Sequence, residues 1–329
     1  MFSLRAPARL AMAAVLLACC TARVGAEEIA VGNYAVSANG MPFAVALAKG
    51  YFAAEGANVT GIITSAGGGT SLRNMLTGGV PYGEVNPGVV VAAIQQGADL
   101  KIISDNALPV GEFIWAVLPS SPIKSIADFK GRKIGYTNPK STSVALASLL
   151  LQKAGLKPDD AELVRTGGFG EGVAALDIGL VDIAPIPEPL WSRFKAKYRA
   201  VATANLLPVL DNVVGVTTSA QAAAKGDFIR AVIRARRRAV DFMRQNPDEA
   251  GDIVAKAYNI APAEGRSAVR YLTTIRTDGV PYWGEGEIHM AGLRRMIELQ
   301  KSVGAITGEV DLSKIVDTQF LPDDLKALR

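Results

Sequence analysis

Two loops of small polar residues carry the clearest chemical signal in the sequence. They are residues 65–71, SAGGGTS, and residues 137–143, TNPKSTS, and each precedes a helix-like run. Such loops present free backbone N–H groups, hydroxyl groups and the positive end of a helix dipole, which together suit an anion. An ordinary helix N-cap is the alternative role for Thr70 and for the hydroxyl residues 141–143. Because the two loops fall in two similar halves of a repeated pattern, we expect them to face a shared ligand site.

Groups that could perform catalysis are scarce. His289 is the only histidine, and the late helix-like stretch around it offers no partner that would orient it as a base. Both cysteines, Cys19 and Cys20, fall in an N-terminal segment that we expect to be removed. The sequence contains no metal-ligand spacing, nucleophile elbow or phosphate-loop signature. We therefore expect a binding protein with no catalytic residues, metal or cofactor.

The first 26 residues have the pattern of a secretory signal. Arg5 and Arg9 give a positive start, residues 10–18 are apolar, and residues 24–26 are the small triplet Val-Gly-Ala. The apolar run is too short to span a bilayer. The Leu-Leu-Ala-Cys sequence that ends at Cys19 resembles a lipoprotein cleavage box, so lipid attachment there is an alternative. We expect the mature chain in the periplasm, either free or tethered through Cys19.

Length and net charge limit the classes of protein to which the chain could belong. Removal of the signal would leave about 300 residues, a length that usually divides into two domains. The formal net charge is only +4, and three of the arginines behind it lie in the signal, so nucleic acid is not an expected partner. The arginine-rich stretch 230–238 follows an amphipathic helix pattern, in which charge on the outer face is ordinary. No mature stretch reaches about 18 apolar residues without charge, so we expect no membrane span.

Short strand-like and helix-like runs alternate along the mature chain, which predicts an α/β fold with largely parallel sheets. The predicted strands are 28–34, 58–64, 100–104, 133–136, 162–165 and 181–184, and the predicted helices are 42–51, 70–76, 89–96, 143–154 and 172–177. From residue 228 onward the pattern is mainly helical. One set of residues recurs at constant spacing: Leu76, Gly79 and Pro87 correspond to Leu176, Gly179 and Pro187. The repeated order of elements predicts two lobes of one design.

Four segments resemble one known family. They are residues 47–56 (LAKGYFAAEG), 125–135 (SIADFKGRKIG), 155–160 (GLKPDD) and 175–184 (ALDIGLVDIA). Together they resemble the periplasmic substrate-binding proteins of ABC importers, and in particular the group that carries sulfonates, taurine, nitrate and thiamine-pyrimidine precursors. The resemblance covers about residues 29–194. Two positions depart from the family pattern: Ile186-Pro187 precedes the pair Glu188-Pro189 where Trp is usual, and Tyr82 replaces a common Asp.

The resemblance implies a type II-like periplasmic binding protein fold, in which two doubly wound α/β lobes are joined by two chain crossings. Lobe 1 is expected to comprise residues 27–113 and 211–329, and lobe 2 residues 114–210. The strand-like runs 113–118 and 213–217 are the expected hinge. The implied partners are the permease and ATPase of an ABC importer, and the receptor itself is expected to be a monomer and not an enzyme.

The expected ligand is a small anion, such as a sulfonate, taurine, nitrate or a carboxylate, bound between the lobes. Alternatives are a heteroaromatic ligand of the thiamine-pyrimidine-precursor type, a sensor role without transport, and an enzyme on the same fold. That enzyme would need cysteine and histidine chemistry, which the mature chain lacks. The residues expected to contact the ligand are Asn39, Gly69, Thr70 and Asn86 from lobe 1, Ser141, Thr142, Ser143 and Glu188 from lobe 2, and Tyr34, which is placed to stack on a flat part of the ligand.

Overall fold

The computed structural model describes residues 27–65, 68–139, 141–203 and 206–329. The predicted secretory signal, including Cys19, lies outside the described residues. In the part of the chain that is described, no helix is both long enough and apolar enough to cross a membrane.

Lobe 1 is built around a six-stranded sheet. Its strands are β1 Glu27–Val31, β2 Val59–Ile63, β3 Gly83–Val85, β4 Lys101–Ala107, β10 Val213–Thr217 and β13 Trp283–Gly286. They lie in the order β13-β4-β10-β3-β1-β2, and β1 runs parallel to both β2 and β3. In contrast, β10 is antiparallel to β3 and β4. A strand from the second half of the chain therefore lies at the centre of the lobe 1 sheet.

Helices cover the sheet of lobe 1, and the last third of the chain is mainly helical as predicted. The helices are α1 Met41–Ala48, α2 Tyr51–Glu55, α3 Gly68–Gly78, α4 Pro87–Gln95, α8 Ser219–Gln245, α9 Pro247–Tyr258, α10 Pro262–Thr274, α11 Met290–Ser302 and α12 Leu312–Ile315. A small hairpin, β11 Arg276–Thr277 and β12 Val280–Pro281, follows α10. Helix α8 is amphipathic: Phe228, Val232, Ala235 and Ala239 form its buried stripe. This apolar stripe fixes the helix on the lobe 1 core.

Lobe 2 is smaller and its strands are less regular than predicted. They are β5 Phe113–Val117, β6 Lys133–Tyr136, β7 Glu162–Arg165, β8 Ala184–Pro187 and β9 Arg199–Ala202. The helices are α5 Thr142–Lys153, α6 Phe169–Asp177 and α7 Leu190–Phe194. Strands β6 and β7 are parallel, but β5 is antiparallel to both of its neighbours, β8 and β9. A parallel bridge between Ile134 and Ile183 links the two groups of strands.

The predicted hinge strands prove to be interior strands of the two sheets. β5 is the middle strand of its sheet in lobe 2, and β10 is hydrogen-bonded on both edges in lobe 1. A strand with partners on both sides cannot rotate without breaking its ladder, so that prediction of the hinge is wrong. The chain instead crosses between the lobes in the segments before these strands, residues 108–112 and 206–212. The predicted lobe boundaries lie next to these two crossings.

Helix α11 belongs to both lobes. Its residues Leu293 and Ile297 pack into the core of lobe 1, whereas Met296 and Leu299 pack into the core of lobe 2. These four side chains follow helical spacing, so they form two adjacent faces of one helix. Helix α11 therefore braces the hinge in addition to the two crossings.

Helices α9 and α10 approach each other through glycine, and this contact supports a prediction. A Cβ on Gly251 would lie 2.5 Å from Cα and 2.7 Å from N of Arg266, which are backbone atoms that cannot yield. We expect Gly251→Ala to lower the free energy of unfolding by about 1–3 kcal/mol, as overpacking does elsewhere. Urea unfolding followed by circular dichroism measures this loss.

The matched control is Gly170→Ala, at the start of α6. No heavy atom of the described residues lies within 4 Å of a Cβ placed on Gly170. Alanine is the better helix former, so this variant should be neutral or more stable by up to about 1 kcal/mol. An equal decrease in the free energy of unfolding in the two variants would show that the α9–α10 contact is not tight.

Candidate functional site

Three helix N-termini meet at Asn86, where the two lobes face each other. Asn86 precedes α4, and its Oδ1 accepts a hydrogen bond from Gly88 N at 2.8 Å. Its Nδ2 donates across to Oγ1 of Thr142, the first residue of α5 in lobe 2, at 2.6 Å. Gly68 begins α3, and a Cβ placed on it would lie 3.8 Å from Asn86 N. Asn86 satisfies the first N–H groups of α4, so the first N–H groups of α3 and α5 and the three helix dipoles are what would favour a negatively polarised group here.

Gly69 and Thr70 form the first turn of α3, beside this meeting point. No heavy atom of the described residues lies within 4 Å of where a Cβ on Gly69 would stand. Thr70 Oγ1 accepts a hydrogen bond from Arg73 Nη2 at 3.3 Å, which leaves its hydroxyl proton to be donated elsewhere. The structure thus places the start of α3, which carries these two residues, near Asn86, and their contact with a ligand stays a prediction.

The hydroxyl loop of lobe 2 is braced from within. Ser143 Oγ accepts from Thr137 N at 3.0 Å, and it lies 3.0 Å from Thr137 Oγ1 and 2.8 Å from Ser141 Oγ. Ser143 is buried, so its hydroxyl fixes the loop on α5. Ser141 is the residue before α5 and is less buried, and its side chain makes no capping bond to the helix. Of this loop, Thr142 reaches lobe 1, through its hydrogen bond with Asn86.

Thr142 also touches the second crossing, which brings in two residues that the sequence reasoning missed. Thr142 Oγ1 donates to Asn212 Oδ1 at 3.0 Å, and Asn86 Nδ2 donates to Asn212 O at 3.1 Å. Asn212 Nδ2 in turn donates to Glu112 Oε1 on the first crossing. Asn212 therefore links both lobes with both crossings.

Glu112 is a buried carboxyl with a spare oxygen. Its Oε2 lies beside the buried Tyr282 hydroxyl, and neither atom forms a well-aligned hydrogen bond within the described residues. Burial raises the pKa of Glu112 to about 8, against hydrogen bonds that favour the ionised form. The only sequence signal for this residue is an acidic side chain immediately before an apolar strand, which gives no indication of its partner 100 positions away.

Two predicted contacts of lobe 1, Asn39 and Tyr34, are largely occupied by the protein itself. Asn39 Nδ2 donates to Glu84 Oε1 at 2.9 Å and to Gly32 O at 3.1 Å, and the side chain is buried. The Tyr34 ring packs edge-on against Tyr258 with ring centroids 5.5 Å apart, and burial raises the pKa of Tyr34. Asn39 therefore shapes the turn below the cleft, whereas Tyr34 is half-buried and keeps part of its ring exposed.

The Glu188 carboxylate is also occupied by hydrogen bonds within the protein. Its Oε2 accepts from Ser192 N and its Oε1 from Ser192 Oγ, both at 3.1 Å, so the carboxylate caps α7. Burial raises the pKa of Glu188 although both bonds favour the charged form. A role for Glu188 in ligand binding stays a prediction, and its oxygens would first have to leave Ser192.

Glu84 lies beneath the site in a buried polar network. It is fully buried, and Nε of Arg236 on α8 lies 3.7 Å from its Oε2. Arg236 also donates to the carbonyl oxygens of Gly284, at 2.7 Å, and of Asn106. Burial raises the pKa of Glu84 to about 7, because the attraction of Arg236 only partly offsets desolvation.

Two buried carboxyl groups lie together where β4 meets the second crossing, next to the single histidine. The carboxyl groups of Asp105 and Asp211 are buried close to each other, and no well-aligned hydrogen bond joins them within the described residues. Burial raises the pKa of Asp105 to about 7, and burial together with repulsion from Asp105 raises the pKa of Asp211 well above its ordinary value. His289 N donates to Asp105 Oδ2 at 2.6 Å, and burial lowers the pKa of the imidazole. His289 thus lies immediately before α11 and is part-buried there.

The arginines of α8 that follow the basic sequence pattern are held in ion pairs. Arg234 Nε lies 2.8 Å from Glu55 Oε2, and Arg238 Nη1 lies 2.8 Å from Glu55 Oε1. Arg237 pairs with Glu285 at 3.0 Å and with Asp324 at 2.6 Å. These pairs place the arginines in contacts between α8 and neighbouring segments.

Comparison with known proteins settles the family. The model of the family described as NMT1/THI5 like matches residues 37–250, which is more than half of the chain. The chain belongs to this family. The resemblance that the sequence analysis drew from its motifs is thereby confirmed.

Individual relatives are distant but cover most of the chain. The riboflavin-binding protein RibY of Chloroflexus aurantiacus is 23% identical over 305 residues, which are 85% of this chain and 82% of RibY. The periplasmic aliphatic sulphonate binding protein SsuA from Escherichia coli is similar in structure, with a TM-score of 0.73 and 19% identity over 89% of this chain and 92% of SsuA. The periplasmic nitrate-binding protein NrtA from Synechocystis PCC 6803 gives a TM-score of 0.72 and 13% identity over 91% of this chain and 87% of NrtA. These likenesses confirm the predicted two-lobed α/β fold.

Proposed function

We propose that the protein is the extracytoplasmic solute-binding receptor of an ABC importer, which captures a small molecule between its two lobes. The family, the two-lobed fold and the names of the relatives support this function. The predicted signal in residues 1–26 places the mature chain in the periplasm, free or tethered through Cys19. Its partners are then the permease and ATPase of the importer, and it works as a monomer.

The ligand that the geometry favours carries a small anionic head group, such as a sulfonate, taurine, nitrate or a carboxylate. The observation behind this choice is the convergence of the first turns of α3, α4 and α5 around Asn86. The N–H groups that open α3 and α5, together with the Thr70 hydroxyl, would supply uncharged donors, whereas those of α4 are already bonded to Asn86. The helix dipoles add a favourable field. The structural neighbours that bind a sulphonate and nitrate are consistent with this head group.

A heteroaromatic ligand is the second candidate, and it is favoured by a buried carboxyl oxygen at the crossings that has no well-aligned partner among the described residues. Glu112 Oε2 and the Tyr282 hydroxyl are buried together at the crossings. A ring that presents an N–H group would find an acceptor in Glu112, and the Tyr34 ring offers a face for stacking. The riboflavin-binding relative is consistent with such a ligand.

The proposal assigns no catalytic step to the chain. Two groups that could act as an acid or a base are engaged by the protein: Glu188 caps α7, and the backbone N–H of His289 donates to Asp105 at the start of α11. A general base needs a substrate proton within hydrogen-bonding reach, and these contacts place both groups elsewhere.

One calorimetric panel tests the receptor function and separates the two ligand classes. The probes are taurine, methanesulfonate, nitrate and acetate on one side, and riboflavin and an aminopyrimidine on the other. We expect one anion to bind with a stoichiometry of one per chain and to be recovered unchanged. Thr70→Val removes one neutral donor at constant shape, so it should weaken that anion about 2- to 10-fold.

Glu112→Gln is the paired variant for this panel, because the amide keeps an acceptor for Asn212. Under the anion proposal Glu112→Gln leaves anion affinity unchanged or improves it. If the heteroaromatic probe binds best and Glu112→Gln weakens it while Thr70→Val does not, the second candidate is correct. Chemical turnover of any probe would contradict the receptor function itself.

A further inference from the structure

The lobes are joined by direct side-chain contacts in addition to the chain crossings. The inner contact is the 2.6 Å hydrogen bond from Asn86 Nδ2 in lobe 1 to Thr142 Oγ1 in lobe 2. Both residues are anchored to Asn212, so this bond lies directly beside the second crossing. At this distance no ligand atom fits between Asn86 and Thr142, and a ligand must bind beside the inner contact.

The outer contact joins α7 of lobe 2 to α10 of lobe 1. Arg193 Nε lies 3.1 Å from Glu264 Oε2, and Lys195 Nζ donates to Ser267 Oγ at 2.8 Å. Ser192 Oγ lies 3.0 Å from the same Ser267 Oγ. Ser192 is the residue that holds Glu188, so the outer contact is continuous with the buried start of α7.

We propose that the inner and outer contacts form a latch that holds the two lobes together before any ligand arrives. Every donor and acceptor in the latch belongs to the protein, so its stabilisation of the closed arrangement does not depend on ligand chemistry. The inference rests on the proposed receptor function in one respect: it takes closure of the lobes as the event that the importer recognises. The ligand then adds to a closed population that the latch already maintains.

The latch has a consequence that separates it from direct ligand contacts. The apparent affinity of a receptor scales with the fraction of molecules in the binding-competent state. A latch variant should therefore weaken all ligands by the same factor, whereas loss of a direct contact weakens only the ligands that use it. Each hydrogen bond removed from the latch should lower the closed-to-open ratio about 2- to 10-fold.

Distance measurements between spin labels test the latch without a ligand. A mature chain that begins at Glu27 has no cysteine, because the two cysteines of the sequence are at positions 19 and 20. The exposed residues Gln96, after α4, and Gln152, in the last turn of α5, can each be replaced by cysteine and labelled. The parent protein should show mainly the distance of the closed arrangement described above. Thr142→Val combined with Ser267→Ala should move at least half of that population to a second distance.

The matched control is Thr77→Val in α3. Thr77 Oγ1 donates to Arg73 O at 2.9 Å within lobe 1, so this variant loses one hydrogen bond that does not join the lobes. Circular dichroism melts verify that every variant is folded. A parent that is mainly open, or a double variant whose distances match the control, would overturn the latch.

Taurine binding, measured separately by calorimetry, distinguishes failure of the latch from failure of the receptor proposal. If Thr142→Val loses taurine affinity with unchanged distances, Thr142 is a direct ligand contact and the inner contact is not a latch. If the distances shift as expected while no probe of the panel binds, the latch is supported and the proposed ligand class is wrong.

Discussion

The protein is expected to unfold at a temperature at least about 5 °C lower at pH 8 than at pH 5, because of its buried carboxyl groups. Burial raises the pKa of Glu84 and Asp105 to about 7 and that of Glu112 to about 8. In the unfolded chain such groups titrate near pH 4. Between the two values the folded state holds more protons than the unfolded state, so the free energy of unfolding falls as pH rises.

The pH range over which the free energy of unfolding falls follows from the same pKa shifts. It begins near pH 4, where these groups ionise in the unfolded chain, and levels off above about pH 8, where they are ionised in both states. Each unit of raised pKa costs about 1.4 kcal/mol once the group is ionised. His289 has the opposite effect, because burial lowers its pKa and so makes the free energy of unfolding rise with pH. This rise is confined to pH values below about 7 and comes from a single group.

Differential scanning calorimetry across pH 5–9 measures the profile, and two variants locate its source. Glu112→Gln removes one of the titrating groups and should make the slope shallower, while its amide oxygen still accepts from Asn212. Glu298→Gln, on the exposed face of α11 beside Lys301, should leave the slope as it is. A stability that stays constant or rises between pH 5 and pH 8 would contradict the expectation.

The second large effect is expected at Arg236. This arginine is 2% exposed and is the cation beside the fully buried Glu84. Arg236→Met keeps most of the apolar stem but leaves the Glu84 carboxylate and two carbonyl oxygens without a cationic partner. Removal of one member of a buried pair typically costs about 3–5 kcal/mol, and we expect a loss in this range at pH 8. Urea unfolding measures it.

Two further variants make this expectation specific. Arg238→Met lies on the same helix, but its side chain is 46% exposed and pairs with Glu55, so its loss should be below about 1 kcal/mol. Glu84→Gln combined with Arg236→Met removes the unpaired charge and should recover part of the stability. If Arg236→Met and Arg238→Met lowered the free energy of unfolding equally, burial of the Arg236–Glu84 pair would not contribute to stability.

The sequence predicted the regular elements wherever a local pattern defines them. The strands 133–136 and 162–165 were predicted with the bounds that the structure gives to β6 and β7, because each is a short run limited by turn residues or charges. The strand β3 Gly83–Val85 was not assigned bounds, since three residues carry no periodicity. The hinge was misplaced because apolar runs reveal strands but not whether their edges are paired.

The binding site was only partly predictable for a related reason. Gly69, Thr70 and Asn86 could be proposed because helix-start residues are recognisable in sequence, and the structure joins Asn86 to Thr142. Contact of these residues with a ligand stays a prediction. Asn212 and Glu112 were missed because their contacts join residues that are 70 to 126 positions apart. Local sequence also could not show that Asn39 and Glu188 would be occupied by protein partners.

The packing of α11 in both lobes bears on the order in which the chain can fold during synthesis. Lobe 2 is encoded by the middle of the chain, yet its core includes Met296 and Leu299 from residues made much later. The sheet of lobe 1 likewise needs β10 and β13 from the second half. Neither core is complete until residue 299 or so has left the ribosome, so an isolated N-terminal half would expose apolar surface that only α11 and its neighbours cover.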